Sequence, residues 1–192
     1  MNDFDPQAYG PVFAPLLDFD RRRPLGAGSP HMAERATIER LSAKTAFAHV
    51  TPATADRNLA ECCVSGVWLV HDFLDQSHEV SQGINTLEGS FWHGIMHRRE
   101  GDFSNAKYWF RHVGDHPVYE VLANRANELA DEHDAAAAVA KLTARGTWEP
   151  YAFVDLCQAA ERAGTHRELC LDLQQAEWES LFEFCYRSAV GE

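Results

Sequence analysis

The chain has 192 residues, 45% of them hydrophobic, which is enough for one sizeable core and one compact domain. Its 29 acidic against 17 basic side chains give a net charge of −12, which excludes a general phosphate-backbone binder and a binder of anionic membranes, since both need clustered Lys and Arg. No apolar run approaches the roughly 18 residues of a membrane span, and 24% charged with 11% aromatic residues is the composition of a folded chain.

Residues 1–28 hold Pro6, Gly10, Pro11, Pro15, Pro24, Gly26 and Gly28 around the run Arg21-Arg22-Arg23. They predict an irregular arm wrapped on a helical domain spanning 29–192. The acidic start Met1-Asn2-Asp3 has no basic segment leading into an apolar one, so a cytoplasmic location is the expectation. Ser29-Pro30 reads as a cap followed by a first-turn proline and predicts a helix over about 30–47. Leu59, Cys63, Val67, Val70 and Leu74 recur at steps of three and four, predicting a helix over about 55–79. After the turn-rich stretch 81–89, Ser90 is placed to cap a helix over 91–100. Gly101-Asp102 ends it, and a helix over 104–113 follows, closed by Gly114 and Pro117. The alanine-rich run 120–145 and the segments 148–163 and 166–189, divided by Gly146 and Gly164, also read as helices. Strand-like alternation is absent, so the expected fold is an all-α, single-domain bundle of about seven helices. Cys62, Cys63, Cys157, Cys170 and Cys185 form no Cys-x-x-Cys pair and read as reduced, buried thiols.

Residues 91–118, FWHGIMHRREGDFSNAKYWFRHVGDHPV, reverse the sign of the chain with a net charge of +1, and hold four of its ten histidines and six of its 21 aromatic residues. Such a concentration of donors and flat apolar surfaces suits a pocket for a small polar or anionic ligand. Arg98, Arg99, Lys107 and Arg111 are then the candidate anion contacts, and Trp92 and Trp109 the flat walls. The competing reading is a packed aromatic hairpin whose Arg and His side chains reach out to solvent.

On a helix, His93, His97 and Glu100 fall within about 60° of one another. His71, Asp75 and His78 repeat the same spacing on the preceding helix. If the turn at 80–90 makes these helices antiparallel neighbours, His78 faces His93, Asp75 faces His97, and His71 faces Glu100. Imidazoles and carboxylates converging across a bundle are ligands for a divalent transition metal such as Zn, Fe or Mn. His71, Asp75, His78, His93, His97 and Glu100 are the candidate metal set. Without a metal, His93 or His97 serves as general acid or base, oriented by Asp75 or Glu100. With neither, the same residues form an internally hydrogen-bonded polar seam.

Residues 91–117 resemble a tetratricopeptide-type helical hairpin, with Gly94 at the small position of its first helix and Ala106-x-x-x-Phe110 in its second. Ser90 and His97 stand where that repeat has tryptophan and tyrosine, Pro117 falls one residue early, and no second copy follows about 34 residues away. The resemblance implies a hairpin and a protein or peptide partner. His71-Asp72 resembles the central element of the HD-type metal phosphohydrolases, which are all-α. That resemblance implies His49, with Asp102 or Asp115, as further ligands and phosphoester hydrolysis as the reaction. No His-Glu-x-x-His, P-loop, Gly-x-Gly-x-x-Gly or Gly-x-Ser-x-Gly string occurs. The expectation is a small cytoplasmic enzyme acting on a small polar or anionic ligand between the helices at 55–79 and 91–113, metal-dependent in its sharper form. The alternative is a noncatalytic protein-binding module that uses the aromatic hairpin 91–117. Neither nucleic acid nor membrane is an expected partner.

Overall fold

The computed structural model describes residues 4–48 and 56–192, and among them every regular element is helical. In chain order the helices are α1 (Gly10–Leu17), α2 (Arg35–Ile38), α3 (Ala43–Ala46), α4 (Arg57–Val70), α5 (Leu74–Ser81) and α6 (Leu87–Glu100). They continue with α7 (Phe103–Val113), α8 (Val118–Glu132), α9 (Ala136–Leu142), α10 (Pro150–Ala163) and α11 (Arg167–Val190). The class is all-α, and there are eleven helices among the described residues where the periodicity predicts about seven, because three predicted helices are each divided in two and α1 lies in the predicted arm. No described helix is long and apolar enough to cross a membrane.

The arm is the first place where structure and expectation differ. Pro6–Tyr9 forms a 3-10 turn, with the Asp5 carboxylate accepting from the Gln7 N–H, and it runs into α1. Pro11 falls in the first turn of α1, where no intrahelical N–H is needed, so it starts the helix rather than preventing it. Burial of Phe13, Leu16 and Leu17 then holds this eight-residue helix in place. Phe4, Tyr9 and Phe13 pack by ring edges and faces on Trp178, Phe182 and Tyr186 of α11. The arginine run docks on acids, Arg21 to Glu179, Arg22 to Glu168 and Asp172, and Arg23 to Asp72.

The helix predicted over 30–47 is two single turns, α2 and α3. Ser42 adopts an extended backbone and forms a reciprocal capping box with Thr45, which starts a new turn and resets the helical phase. The helix predicted over 55–79 is α4 and α5, its first predicted residue lying outside the described residues. α4 is capped by Asp56, whose carboxylate accepts from the N–H groups of Asn58 and Leu59. It ends at His71, with Asp72 in the left-handed region at φ 63°. The Asp72 N–H donates to Leu69 O and the Phe73 N–H to Trp68 O, the paired bonds of a Schellman stop. The run predicted over 120–145 is divided in the same way. Asp134 has φ 48°, and the Asp134 and Ala135 N–H groups donate to Asp131 O and Ala130 O. Both His-Asp dipeptides of the chain are therefore helix stops, with aspartate tolerating the conformation usually reserved for glycine.

α6 begins four residues earlier than predicted. Thr86 rather than Ser90 caps it, its hydroxyl accepting from the Gly89 N–H, while Ser90 donates back to Thr86 O. Every residue from Gly89 to Arg99 is buried, so α6 is a central helix covered by α4, α5 and α7. Gly101 in the left-handed conformation and the Asp102 cap turn the chain directly into α7, and the pairs Phe91–Phe110 and Gly94–Phe110 show the two helices running antiparallel. The 24-residue α11 is the other organising element, packed on α4, α8 and α10.

Candidate functional site

Because α6 is covered on all sides, its polar side chains must find partners inside the protein. They do so in two directions. One set, Arg98 and Arg99, is consumed by ion pairs, and the other, His93 and His97, converges with His78 of α5.

The three imidazoles each offer a nitrogen within 4.8 Å of the others. The His78 ring lies 4.6 Å from that of His93 and 5.2 Å from that of His97, and the His93 and His97 rings are 4.7 Å apart. His93 and His97 are one turn apart on α6, and the turn at 82–86 brings α5 against that face. Trp109 of α7 stacks flat on His93 at 3.9 Å and 26°. His93 and His97 are buried, His78 and Trp109 half-buried.

The hydrogen bonds around this cluster fit one set of tautomers. The Ser81 hydroxyl lies 3.3 Å from both His78 O and Nδ1 of His93, and when its proton goes to the carbonyl its oxygen accepts from Nδ1–H of His93. The Glu100 carboxylate accepts from Nδ1–H of His97 at 3.0 Å. In both rings Nε2 is then the atom that carries the lone pair. The Nε2 of His97 accepts from the Asn105 side-chain amide at 3.0 Å. Neither ring nitrogen of His78 is hydrogen-bonded among the described residues. Burial, followed by repulsion from His97 and His78, pushes the His93 pKa down to about 3. Burial also lowers His97, against the opposing pull of Glu100. The two α6 imidazoles are held neutral across the physiological range, which is the protonation state of a metal ligand.

The remaining residues singled out in the sequence lie elsewhere. His71 is on the far side of the α4–α5 break, where its Nε2–H donates to Leu16 O and its ring packs against Phe19 and His31. Asp75 is exposed and lines a separate hollow beside Gly28 and Arg35. The stop at Asp72 is the physical reason for both, since it ends the helical phase that would have aligned His71, Asp75 and His78. Asp72 itself accepts from Arg23, Arg99 and the Ser29 N–H, and Gly28 approaches it so closely that a Cβ there would lie 2.6 Å from its Cγ. Arg99 also donates to Leu69 O and Gly26 O. Arg98 pairs with the fully buried Glu177 of α11 and lies over the Phe153 ring at 4.5 Å. Neither arginine is available to a ligand at the histidines. Lys107 pairs with Asp155 at the surface, and Arg111 is exposed at the other end of α7. Trp92 is wholly buried, its ring against Gly66 and Trp178, and serves the core. Of the ligands implied by the HD-type resemblance, His49 lies outside the described residues, Asp102 caps α7, and Asp115 sits in the α7–α8 connection.

Ser81 and Asn105 complete the cluster and were not singled out by spacing. Their signal is weak but physical: Ser81 is three residues after His78 on one helical face, and Asn105 is three residues after the α7 cap, which turns it back toward the end of α6. Comparison with protein-family models, with curated proteins and with solved structures finds no match to this chain. The functional reading therefore rests on the geometry of these residues.

Proposed function

We propose that this chain is an enzyme that binds a divalent transition metal, Zn, Fe or Mn, through His78, His93 and His97 and acts there on a small polar or anionic ligand. The observation that carries the reading is the orientation of the α6 imidazoles. Each gives its Nδ1–H to an oxygen of the protein, Ser81 for His93 and Glu100 for His97, and keeps Nε2 as the electron-pair donor. Ligating histidines are held in this way in metal sites, because the outer hydrogen bond fixes the tautomer and raises the basicity of the inner nitrogen. Three neutral imidazoles leave a divalent ion its whole charge, which favours hydroxide or an anionic ligand at the remaining position. Glu100 and Ser81 orient the ligands, Trp109 walls the centre on one side, and the Asn105 amide must leave the His97 lone pair when metal enters. His71 and Asp75 have no part in this reading.

The test is metal loading of full-length protein purified without a histidine tag, followed by calorimetry and by the visible absorption of its Co²⁺ form. One equivalent per chain is expected, with affinity reduced by about 10–100-fold in Glu100→Gln and further in His93→Gln combined with His97→Gln. Substoichiometric uptake with an affinity unchanged in the double variant would overturn the reading. The alternative, a partner surface on the hairpin 91–117, has less support: Phe91, Trp92 and Phe110 are buried and Trp109 is stacked on His93, which leaves Tyr108 as its exposed large aromatic residue. Capture of a partner that is lost on Tyr108→Ala would favour it.

A further inference from the structure

His93 and His97 are buried, and the half-buried members of the cluster, His78 of α5 with Asn105 and Trp109 of α7, mark where it meets solvent. The charges bordering that opening are of one sign. Glu100, whose carboxylate lies 3.0 Å from Nδ1 of His97, has a side chain 52% exposed. Asp102 is exposed at the cap of α7, and Glu79, exposed next to His78 on α5, has no ion pair among the described residues. Burial lowers the His97 imidazole, and the charges of Glu100 and Asp102 pull against it, so both carboxylates are within electrostatic reach of the ring. The basic residues of α6 and α7 are turned elsewhere. Arg98 and Arg99 are held inside the protein by Glu177 and Asp72. On α7, Lys107 and Arg111 lie about 160° around the helix from Asn105 and Trp109. Lys107 reaches Asp155 of α10, and Arg111 lines a hollow at the entry to α10.

We propose that the substrate of the histidine centre is a small polar molecule with a cationic tail, one end offering an oxygen donor to the metal and the other an ammonium group to the rim of Glu79, Glu100 and Asp102. The inference rests on the metal reading above and specifies the substrate class of that site. The two ends answer two different fields. An ion held by three neutral imidazoles takes hydroxide or another oxygen donor at its remaining position. At the rim, carboxylates from α5, α6 and the α7 cap meet no lysine or arginine of α6 or α7, so an anionic tail is repelled and an ammonium is attracted. These carboxylates stand in water, so the preference is of the order of tenfold and is screened by salt.

The experiment loads full-length protein with Co²⁺ and follows its visible absorption, at about pH 7.5 and low ionic strength, where imidazoles and ammonium groups keep their ordinary charges. Three hydroxamates of one chain length are titrated in: β-alanine hydroxamate, which ends in an ammonium, butyrohydroxamate, which ends in a methyl group, and succinic monohydroxamate, which ends in a carboxylate. All present the same chelating group to the metal, so the differences between them read the rim. Affinity should fall in that order, with about tenfold between the ammonium and carboxylate ends, and about 0.5 M salt should remove most of that ratio. Glu79→Gln combined with Asp102→Asn, which keeps a capping side chain on α7, should cut the ratio to about threefold with Co²⁺ uptake unchanged. Failure of Co²⁺ to bind overturns the metal reading and this inference with it. Co²⁺ bound at one equivalent with the three hydroxamates equal, with succinic monohydroxamate the tightest, or with an order that neither salt nor the double variant changes, overturns this inference alone and leaves the metal reading standing.

Discussion

Lowering the pH from 7 to 5 in metal-free protein should cost stability through His93, whose pKa is pushed down to about 3 by burial and by the neighbouring His97 and His78. In the unfolded chain the imidazole returns to its ordinary value near 6.5. Between those two values the unfolded state binds a proton that the folded state refuses, so stability rises with pH and is lost as pH falls below 6.5. The loss runs at about 1.4 kcal/mol per pH unit, which makes it about 2 kcal/mol at pH 5 from this one group. For a chain of this size that corresponds to a fall of about 4–8 °C in Tm. His97 and His71, both also lowered chiefly by burial, act in the same direction. The assay is urea denaturation in the presence of a chelator at pH 7 and pH 5, for wild type and His93→Gln. The wild type should lose about 2 kcal/mol more over this interval than the variant. An equal loss in the two proteins would refute the assignment of a buried, neutral His93.

Two further perturbations test the ion pairs that fix α6. Glu177→Ala leaves the Arg98 guanidinium buried without a counter-charge and should cost about 3–5 kcal/mol in chemical denaturation, while replacing both residues by methionine should recover most of that. Asp72→Asn should cost a similar amount and speed proteolysis within residues 18–30, because the carboxylate anchors Arg23 and the Ser29 backbone of the arm. Burial pushes the Asp72 carboxyl up, but Arg23 and Arg99 outweigh it and hold it below its ordinary value. The wild-type contribution is therefore present above about pH 4 and lost as the pH falls further, a dependence that Asp72→Asn should remove.

The α6–α7 hairpin was legible because its determinants are local: Gly101 at the left-handed stop, Asp102 as the cap, and the one-turn spacing of His93 and His97. The break at Asp72 was not. Apolar periodicity runs through it from Leu59 to Leu74, and aspartate is only a mild stop signal. What stabilises the break is distant in sequence, namely Arg23 from the arm, Arg99 from α6 and the close approach of Gly28. The same break removes His71 and Asp75 from the histidine cluster, so an unseen long-range ion pair decides which half of the repeated spacing reaches the site. α1 was missed for a related reason. Its prolines argue against a helix locally, and the burial of Phe13, Leu16 and Leu17 that outweighs them depends on α11 and the rest of the core.

The reversal of charge over 91–118 has the same origin. In an acidic chain a cluster of basic residues reads as an anion site, yet the two arginines at its centre lie on a helix that is buried all round. A buried guanidinium needs a carboxylate within reach, and the surrounding excess of acid supplies one from α11 and one from the α4–α5 break. The net positive count over this stretch thus records which acids the rest of the chain sends inward, Glu177 and Asp72, rather than a charge offered to a ligand. Once those pairs are formed, the reactive surface left on α6 is the neutral one, the imidazoles of His93 and His97, whose burial beside His78 disfavours a bound proton. Metal competition should for this reason be set by His78, the half-buried member: His78→Ala should weaken Co²⁺ binding in the full-length protein while leaving the hydrogen bonds of His93 to Ser81 and of His97 to Glu100 in place. Unchanged Co²⁺ affinity in that variant would mean that the three rings pack together without acting together.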